Sequence, residues 1–321
     1  MKKALIASTA LILSAGIAAA DVKVSGYGRT GIIYYEDGAL TGGNNDTQVI
    51  SRLRMNLDAS TTTDSGVDFG GRFRLQWDQN HGSRGESGAL NAGKLWVSSQ
   101  GLTVEVGNID TAFDSTGLLG ATELGAFDRS VARAKEGPFF AYESSPYSTA
   151  DRLGVGATYA VDALTARLSY VDPSQRGDNE DGVGMEEEIG VSVDYDWNDR
   201  LELSAAYVTN GAGIDNNDMY FIGARYAVMD NARVGLSYFA NDGDDKDDAG
   251  NTISLFGDYT LADGNTNIEA YVANNDGDNN ETDTAFGIGV NYDLGGARLG
   301  ASIQRDYQER VTADMGVRFN F

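Results

Sequence analysis

Apolar and polar residues alternate one for one along most of the chain. From Val67 to Trp77, the residues Val67, Phe69, Phe73, Leu75 and Trp77 share one parity, with Gly71 among them, and Asp68, Arg72, Arg74 and Gln76 share the other. A strand points successive side chains to opposite faces, so this segment has one apolar and one polar side; a helix would scatter the same residues around its axis. The pattern recurs. Leu53, Met55 and Leu57 alternate with Arg52, Arg54 and Asn56; Ile189, Val191, Val193, Tyr195 and Trp197 alternate with Glu188, Ser192, Asp194 and Asp196. Further on, Phe286, Ile288, Val290 and Tyr292 alternate with Gly287, Gly289 and Asn291, and the last strand sets Val311, Ala313, Met315, Val317, Phe319 and Phe321 against Arg310, Thr312, Asp314, Arg318 and Asn320.

The connections come in two lengths. Asn198-Asp199, Gly295-Gly296 and Asp162-Ala163 are tight turns, whereas 36–46, 78–91, 173–184, 241–250 and 274–282 are long, polar and acidic. The two kinds largely alternate, as do the periplasmic turns and extracellular loops of a transmembrane barrel. Tyr34, Trp77, Tyr159, Tyr170, Trp197, Tyr207, Tyr238 and Tyr292 fall near the ends of the apolar stripes, where interfacial aromatic girdles belong, although strands are rich in aromatics generally. The expected fold is therefore all-β: a transmembrane antiparallel β-barrel, apolar outside and polar inside. Seventeen candidate strands are reduced to sixteen, because termini on one side of the membrane require an even number. The weakest, Phe139–Ser144 between Pro138 and Pro146, joins one long connection over 108–150. A barrel of sixteen strands encloses an aqueous channel rather than a packed core.

The ends and the composition sharpen this picture. Lys2 and Lys3, the apolar run Ala4–Ala20 and the closing Ala18-Ala19-Ala20 have the layout of a secretory signal peptide, with Asp21 expected to open the mature chain. Removing 20 of the 321 residues leaves 301 for the barrel, about 19 per strand and connection, which suits spans of about 9–11 residues. With no cysteine, disulfides and thiolate chemistry are excluded. The formal charge of −24, or −26 without Lys2 and Lys3, repels phosphate and argues against nucleic acid as a partner.

Three segments resemble the general diffusion porins of Gram-negative bacteria, alphaproteobacterial type. They are Asp21-Val-Lys-Val-Ser-Gly26, Thr63-Asp-Ser-Gly66 with Val67-Asp-Phe-Gly70, and Asp314-Met-Gly-Val-Arg-Phe-Asn-Phe321. The resemblance spans the whole mature chain in layout. It implies an outer-membrane channel for passive diffusion of ions and small hydrophilic solutes. It also implies a homotrimer set in outer-membrane lipid that includes lipopolysaccharide, and a third loop folded into the pore. The terminal Phe321 is similar to the signal read by the barrel-insertion machinery. Where enteric members carry a Pro-Glu-Phe-Gly-Gly type of loop motif, this chain has Thr111-Ala-Phe-Asp-Ser-Thr-Gly-Leu-Leu-Gly120.

The expected chemistry is an electric field in a constriction, with no catalytic residue. Alternation puts Arg29, Arg52, Arg54, Arg72, Arg74 and Lys94 on the polar face of the first four strands, as one basic patch. The 108–150 segment offers Asp110, Asp114, Glu123 and Asp128 opposite it. Charge arranged in this way around a narrow opening sorts ions and orients dipolar solutes. The acidic loops point to mild cation preference. No resident cofactor is expected; the oxygen-rich stretch with Asp242, Asp244, Asp245 and Asp247 suits Ca²⁺ or Mg²⁺, although it lacks EF-hand spacing and reads more simply as a solvated acidic rim.

Other readings carry less. Gly26-Tyr-Gly28-Arg-Thr-Gly31 matches a dinucleotide fingerprint, yet the chain continues as strand where a helix is required. His81 is the sole histidine and no serine sits in a nucleophile elbow, which weakens an outer-membrane enzyme. A substrate-specific channel needs an aromatic track in the lumen, and most aromatics have outward parity. A soluble calcium-binding repeat protein needs a fixed short period that the Gly-Asp segments lack.

Overall fold

The computed structural model describes residues 21–36, 45–79, 88–132, 137–147, 152–175, 185–242 and 250–321. The expected leader, His81, Asp244, Asp245 and Asp247 lie outside the described residues. The strands are β1 (Asp21–Tyr35), β2 (Thr47–Thr62), β3 (Asp68–Gln79), β4 (Ala89–Leu90), β5 (Lys94–Ser99), β6 (Leu102–Gly107), β7 (Leu153–Val161), β8 (Leu164–Asp172) and β9 (Glu188–Trp197). They continue as β10 (Leu201–Thr209), β11 (Met219–Met229), β12 (Ala232–Asn241), β13 (Thr252–Thr260), β14 (Thr266–Asn275), β15 (Thr284–Asp293), β16 (Ala297–Arg305) and β17 (Val311–Asn320). Segments β4 and β5 both pair with β3 and form one stave interrupted at 91–93, so the seventeen segments make sixteen staves.

Every stave pairs antiparallel with its sequence neighbours, and β1 pairs with both β2 and β17. That last pairing closes the sheet. The seam ends on Phe321, whose N–H donates to the Gly26 carbonyl at 3.0 Å while its own carbonyl accepts from the Gly26 N–H at 2.8 Å. Turns at one end of the barrel are short and the connections at the other are long. The stretch between Pro138 and Pro146 forms no strand and belongs to the long connection between β6 and β7.

The pleat sorts the two faces as the alternation predicts. Phe286, Ile288, Val290 and Tyr292 of β15 point outward and are exposed, while Ala285, Gly287, Gly289 and Asn291 point inward. Outward aromatics form two belts. Tyr34, Trp77, Tyr170, Tyr220 and Tyr238 ring the long-loop end; Tyr159, Trp197, Tyr226, Tyr259 and Tyr292 ring the short-turn end. An exposed apolar band between two aromatic belts matches a bilayer with its two interfaces.

One group of aromatics breaks the expected parity. Phe221, Phe239, Phe256 and Tyr271 point into the barrel and are buried there. A water-filled lumen would not bury them, so another part of the chain must cover them, and the β6–β7 connection does so.

Ile288 lies mid-strand on the lipid face, so a lysine there would place a charge in the apolar band. Ile288→Lys is expected to destabilise the barrel by about 2–4 kcal/mol, read by urea titration of folding into lipid vesicles. A loss below about 1 kcal/mol would place this face outside the hydrocarbon region.

Candidate functional site

After β6 the chain leaves the wall and crosses the lumen. Residues 108–132 run along the inner wall from β8 round to β1, and 137–147 return toward β3. The outbound limb hands its backbone N–H groups to wall side chains in turn. Ala112 donates to Ser169 Oγ (2.9 Å), Leu118 to Ser204 Oγ (3.2 Å), Ala126 to Asp314 Oδ1 (2.9 Å) and Val131 to Gln304 Oε1 (3.2 Å). A segment without regular structure needs such partners when it is taken out of water.

Three apolar clusters hold the limb. Phe113, Leu118 and Leu119 pack on Val208, Met219, Phe221 and Phe239. Leu124 and Ala132 pack on Phe256, Tyr271, Ala273, Ala285 and Tyr307, and Ala126 with Phe127 pack on Ile33, Tyr35 and Ile50. Small wall residues let the backbone approach. A Cβ on Gly300 would stand 2.8 Å from Ala126 backbone atoms, and one on Gly287 would stand 2.9 Å from Leu124. The return limb is pinned by a buried carboxylate: Glu188 Oε2 accepts from Phe140 N–H (2.6 Å) and Ala212 N–H (2.8 Å).

The loop therefore fills the β8–β1 side of the lumen and leaves β2 and β3 facing the opening. Cross-strand register sets Arg298, Arg318, Arg29 and Arg52 directly opposite one another on β16, β17, β1 and β2. Asp293 on β15 and Asp78 on β3 end this row. Arg54 and Arg74 lie on the same lumen face, Arg54 one step and Arg74 two steps further along their strands. Like charges so close need intervening acceptors. Tyr27 supplies one: its ring lies 4.3 Å from the Arg318 guanidinium and 5.1 Å from that of Arg54, and its hydroxyl accepts from Arg52 at 3.2 Å. Tyr142 does the same for Arg74, at 4.1 Å. Stacking on an aromatic face stabilises a guanidinium without neutralising it.

The candidate cations fall into two groups. Arg52 pairs with Asp78, Arg72 Nε with Asp58 at 2.6 Å, and Lys94 Nζ bridges Glu105 and Asp110 at 2.7 Å each. Arg29, Arg54 and Arg74 bond only neutral oxygens among the described residues. Arg29 donates to the Phe127 carbonyl at 2.8 Å, Arg54 to Gln76 at 2.5 Å, and Arg74 to Asn56 at 2.9 Å and Ser144 at 3.1 Å. These three keep their whole charge.

The candidate loop acids are placed unequally. Asp110 is drawn to Lys94 on the wall. Asp128 clamps Arg298 Nη2 at 2.6 Å and also pairs with Arg318, so it holds the loop to the arginine row. Asp114 and Glu123 sit on the crossing limb, half-buried. Four contributors were missed by sequence reading: Arg298, Arg318, Tyr27 and Tyr142. Parity marks the first three as lumenal, but only closure of the barrel, β17 against β1, joins the arginines of β16 and β17 to that of β1. Among the described residues no three carboxylates or histidines converge as a metal site. Asp242 does line a cavity of about 450 Å³ at the long-loop rim together with Asp276 and Asp278.

The Gram-negative porin family profile matches residues 7–310. The chain belongs to the Gram-negative porins. It is 40% identical over 306 residues to a porin of Fuscovulum blasticum, covering 94% of this chain and all of that one, and 27% identical to a porin of Rhodobacter capsulatus. Solved structures of variants of the Rhodopseudomonas blastica porin superpose with a TM-score of 0.84 at 38% identity, over 94% of this chain and the whole of theirs. A porin needs its lumen loop held still, and here apolar contacts and wall hydroxyls share that work. Phe113 is wholly buried, 5.0 Å from the Phe139 ring and 6.4 Å from that of Phe239.

Phe113→Ala is expected to weaken the loop's seat by about 3–5 kcal/mol. The barrel should stay folded while 108–147 becomes cleavable by added protease and the open-channel current becomes noisier. Unchanged protection and noise would show that this cluster does not set the loop's position.

Proposed function

We propose that this porin is a general diffusion channel whose narrowest point is the gap between the crossing loop and the β2–β3 wall, with mild preference for cations. One observation carries the reading: the crossing limb 108–132 is packed along the β8–β1 wall of a closed barrel, and on the β2–β3 wall, where the return limb touches down through Tyr142 and Ser144, Arg54 and Arg74 have no carboxylate partner among the described residues. Arg29, Arg54 and Arg74 project positive charge from the wall; Asp114 and Glu123 stand on the loop. The field between them runs across the pore. Ions and dipolar solutes align with it, and an apolar molecule must displace the water it orders. Cation preference is supported by the overall charge of −24, which concentrates cations at both mouths before they meet the basic wall.

A substrate-specific channel is less well supported. The inward aromatics are covered by the loop or stacked on arginines, so no continuous aromatic track lines the opening among the described residues.

Assembly as a homotrimer fits the shape of the wall. β6 has six residues, too few for the roughly 9–11 that span a bilayer, and the stretch around it would be better covered by protein than by lipid. Export by the expected leader, insertion through recognition of Phe321 and a surround of lipopolysaccharide-containing lipid complete the reading.

Purified protein in a planar bilayer is expected to open in ohmic steps, often in threes, with a reversal potential of cationic sign in a KCl gradient. Folded, inserted protein that never conducts would overturn the open-pore reading. The double variant Arg54→Ala, Arg74→Ala is expected to raise conductance and shift the K⁺/Cl⁻ permeability ratio toward K⁺ by about twofold; no shift would place the selective field elsewhere. Asp128→Ala frees two arginines and is expected to move the ratio the other way.

A further inference from the structure

The short-turn end of the lumen holds a cavity of about 690 Å³, formed by the inner faces of β13 to β17 below the crossing loop. Its two sides carry opposite charge. Glu269 and Asp293 come from β14 and β15; Arg298 and Arg318 come from β16 and β17. Asn267 and Asn291 stand beside the two acids on the same strands, side by side in register; Asn267 Nδ2 donates to Thr260 Oγ1 at 3.0 Å, while Asn291 Oδ1 has no hydrogen-bond partner.

The wall beside this cavity neutralises its charges. Glu202 pairs with Arg225 and lies 3.7 Å from Arg233, and Arg233 Nε donates to Asp258 at 2.9 Å. Around the cavity the pairing stops. Glu269 and Asp293 make no ion pair among the described residues, although Asp293 is the cross-strand partner of Arg298. Arg298 and Arg318 share the single carboxylate of Asp128, so one positive charge is left over, and Arg298 Nε has no hydrogen-bond partner.

We propose that this cavity is a binding station for small zwitterions of amino-acid to dipeptide size, on the exit side of the constriction. The solute's carboxylate meets Arg298 and Arg318, its ammonium meets Glu269 and Asp293, and the Asn291 carbonyl oxygen accepts from the peptide N–H. Charge complementarity selects the class. An anion is repelled by the β14–β15 side, a cation by the β16–β17 side, and a neutral solute gains only amide contacts. Neighbouring strands lie about 4.8 Å apart, so the two sides are separated by roughly 5 Å between β15 and β16 and by up to roughly 14 Å between β14 and β17. An extended dipeptide spans about 7 Å. Such a station must release as well as bind, since a pore site that holds too tightly stops conduction.

The proposal rests on the diffusion-pore reading, so the test separates the two. Channels are first recorded in dilute KCl alone, then titrated with glycylglycine, with N-acetylglycinamide as the uncharged analogue. The expected result is saturable current reduction by glycylglycine, little effect of the analogue, and apparent affinity about tenfold weaker in the double variant Glu269→Gln, Asp293→Asn. Among the described residues neither carboxylate pairs with a loop residue, so a variant that still opens in steps in KCl alone reports a folded, open pore. Arg298→Gln should weaken block as well. A conducting channel with no saturable block, equal block by the analogue, or undiminished block in the double variant would overturn the station and leave the pore reading standing. Absence of conductance would overturn both.

Discussion

Backbone amides cannot be left bare in hydrocarbon, and that constraint governs the rest of the structure. An isolated strand or an open sheet edge would expose a row of unpaired donors and acceptors to lipid. The chain meets the constraint by pairing β1 with β17, and the seam ends with the two hydrogen bonds between Gly26 and Phe321. Closure then dictates the inside. It brings the last stave against the first, turning arginines almost three hundred residues apart in sequence into one row, Arg298, Arg318, Arg29 and Arg52.

Closure also creates a wide interior, and the crossing loop divides it. The loop is held by the same physics as a soluble core: buried aromatics, backbone donors matched to hydroxyls and carboxylates, and glycines where the chain approaches the wall. The lumen is thus half core and half channel. Phe221, Phe239, Phe256 and Tyr271 belong to the first half; Arg29, Arg54 and Arg74 belong to the second.

Charge pairing is uneven along that lumen, and the unevenness carries the functional argument. Where a carboxylate meets a guanidinium, as at Arg72–Asp58 or Arg233–Asp258, the wall is locally neutral and structural. Where aromatic rings and neutral oxygens replace carboxylates, as around Arg54 and Arg74, no described carboxylate offsets the positive charge. At the short-turn end, opposite charges face each other without closing the contact.

Most of the barrel was legible in the sequence, because strand parity is local: each residue's face follows from its neighbours two positions away. Alternation placed Ile288 outward and Arg72 inward, and the acidic long connections and tight turns marked the two ends. Parity also put Arg29, Arg52, Arg54 and Arg74 on one wall, since β1, β2 and β3 are neighbours in sequence as well as in space. What needed the tertiary structure was every contact between distant segments. Phe256 and Tyr271 read as misplaced apolar residues until the loop covers them, and Arg298 and Arg318 read as isolated charges until β17 returns to β1. The pairing of Lys94 with Asp110 and the partners of Asp128 likewise follow from the path of the loop across the lumen. Local chain geometry is written in the order of residues, whereas the pairing of charges depends on where a closed sheet brings its ends.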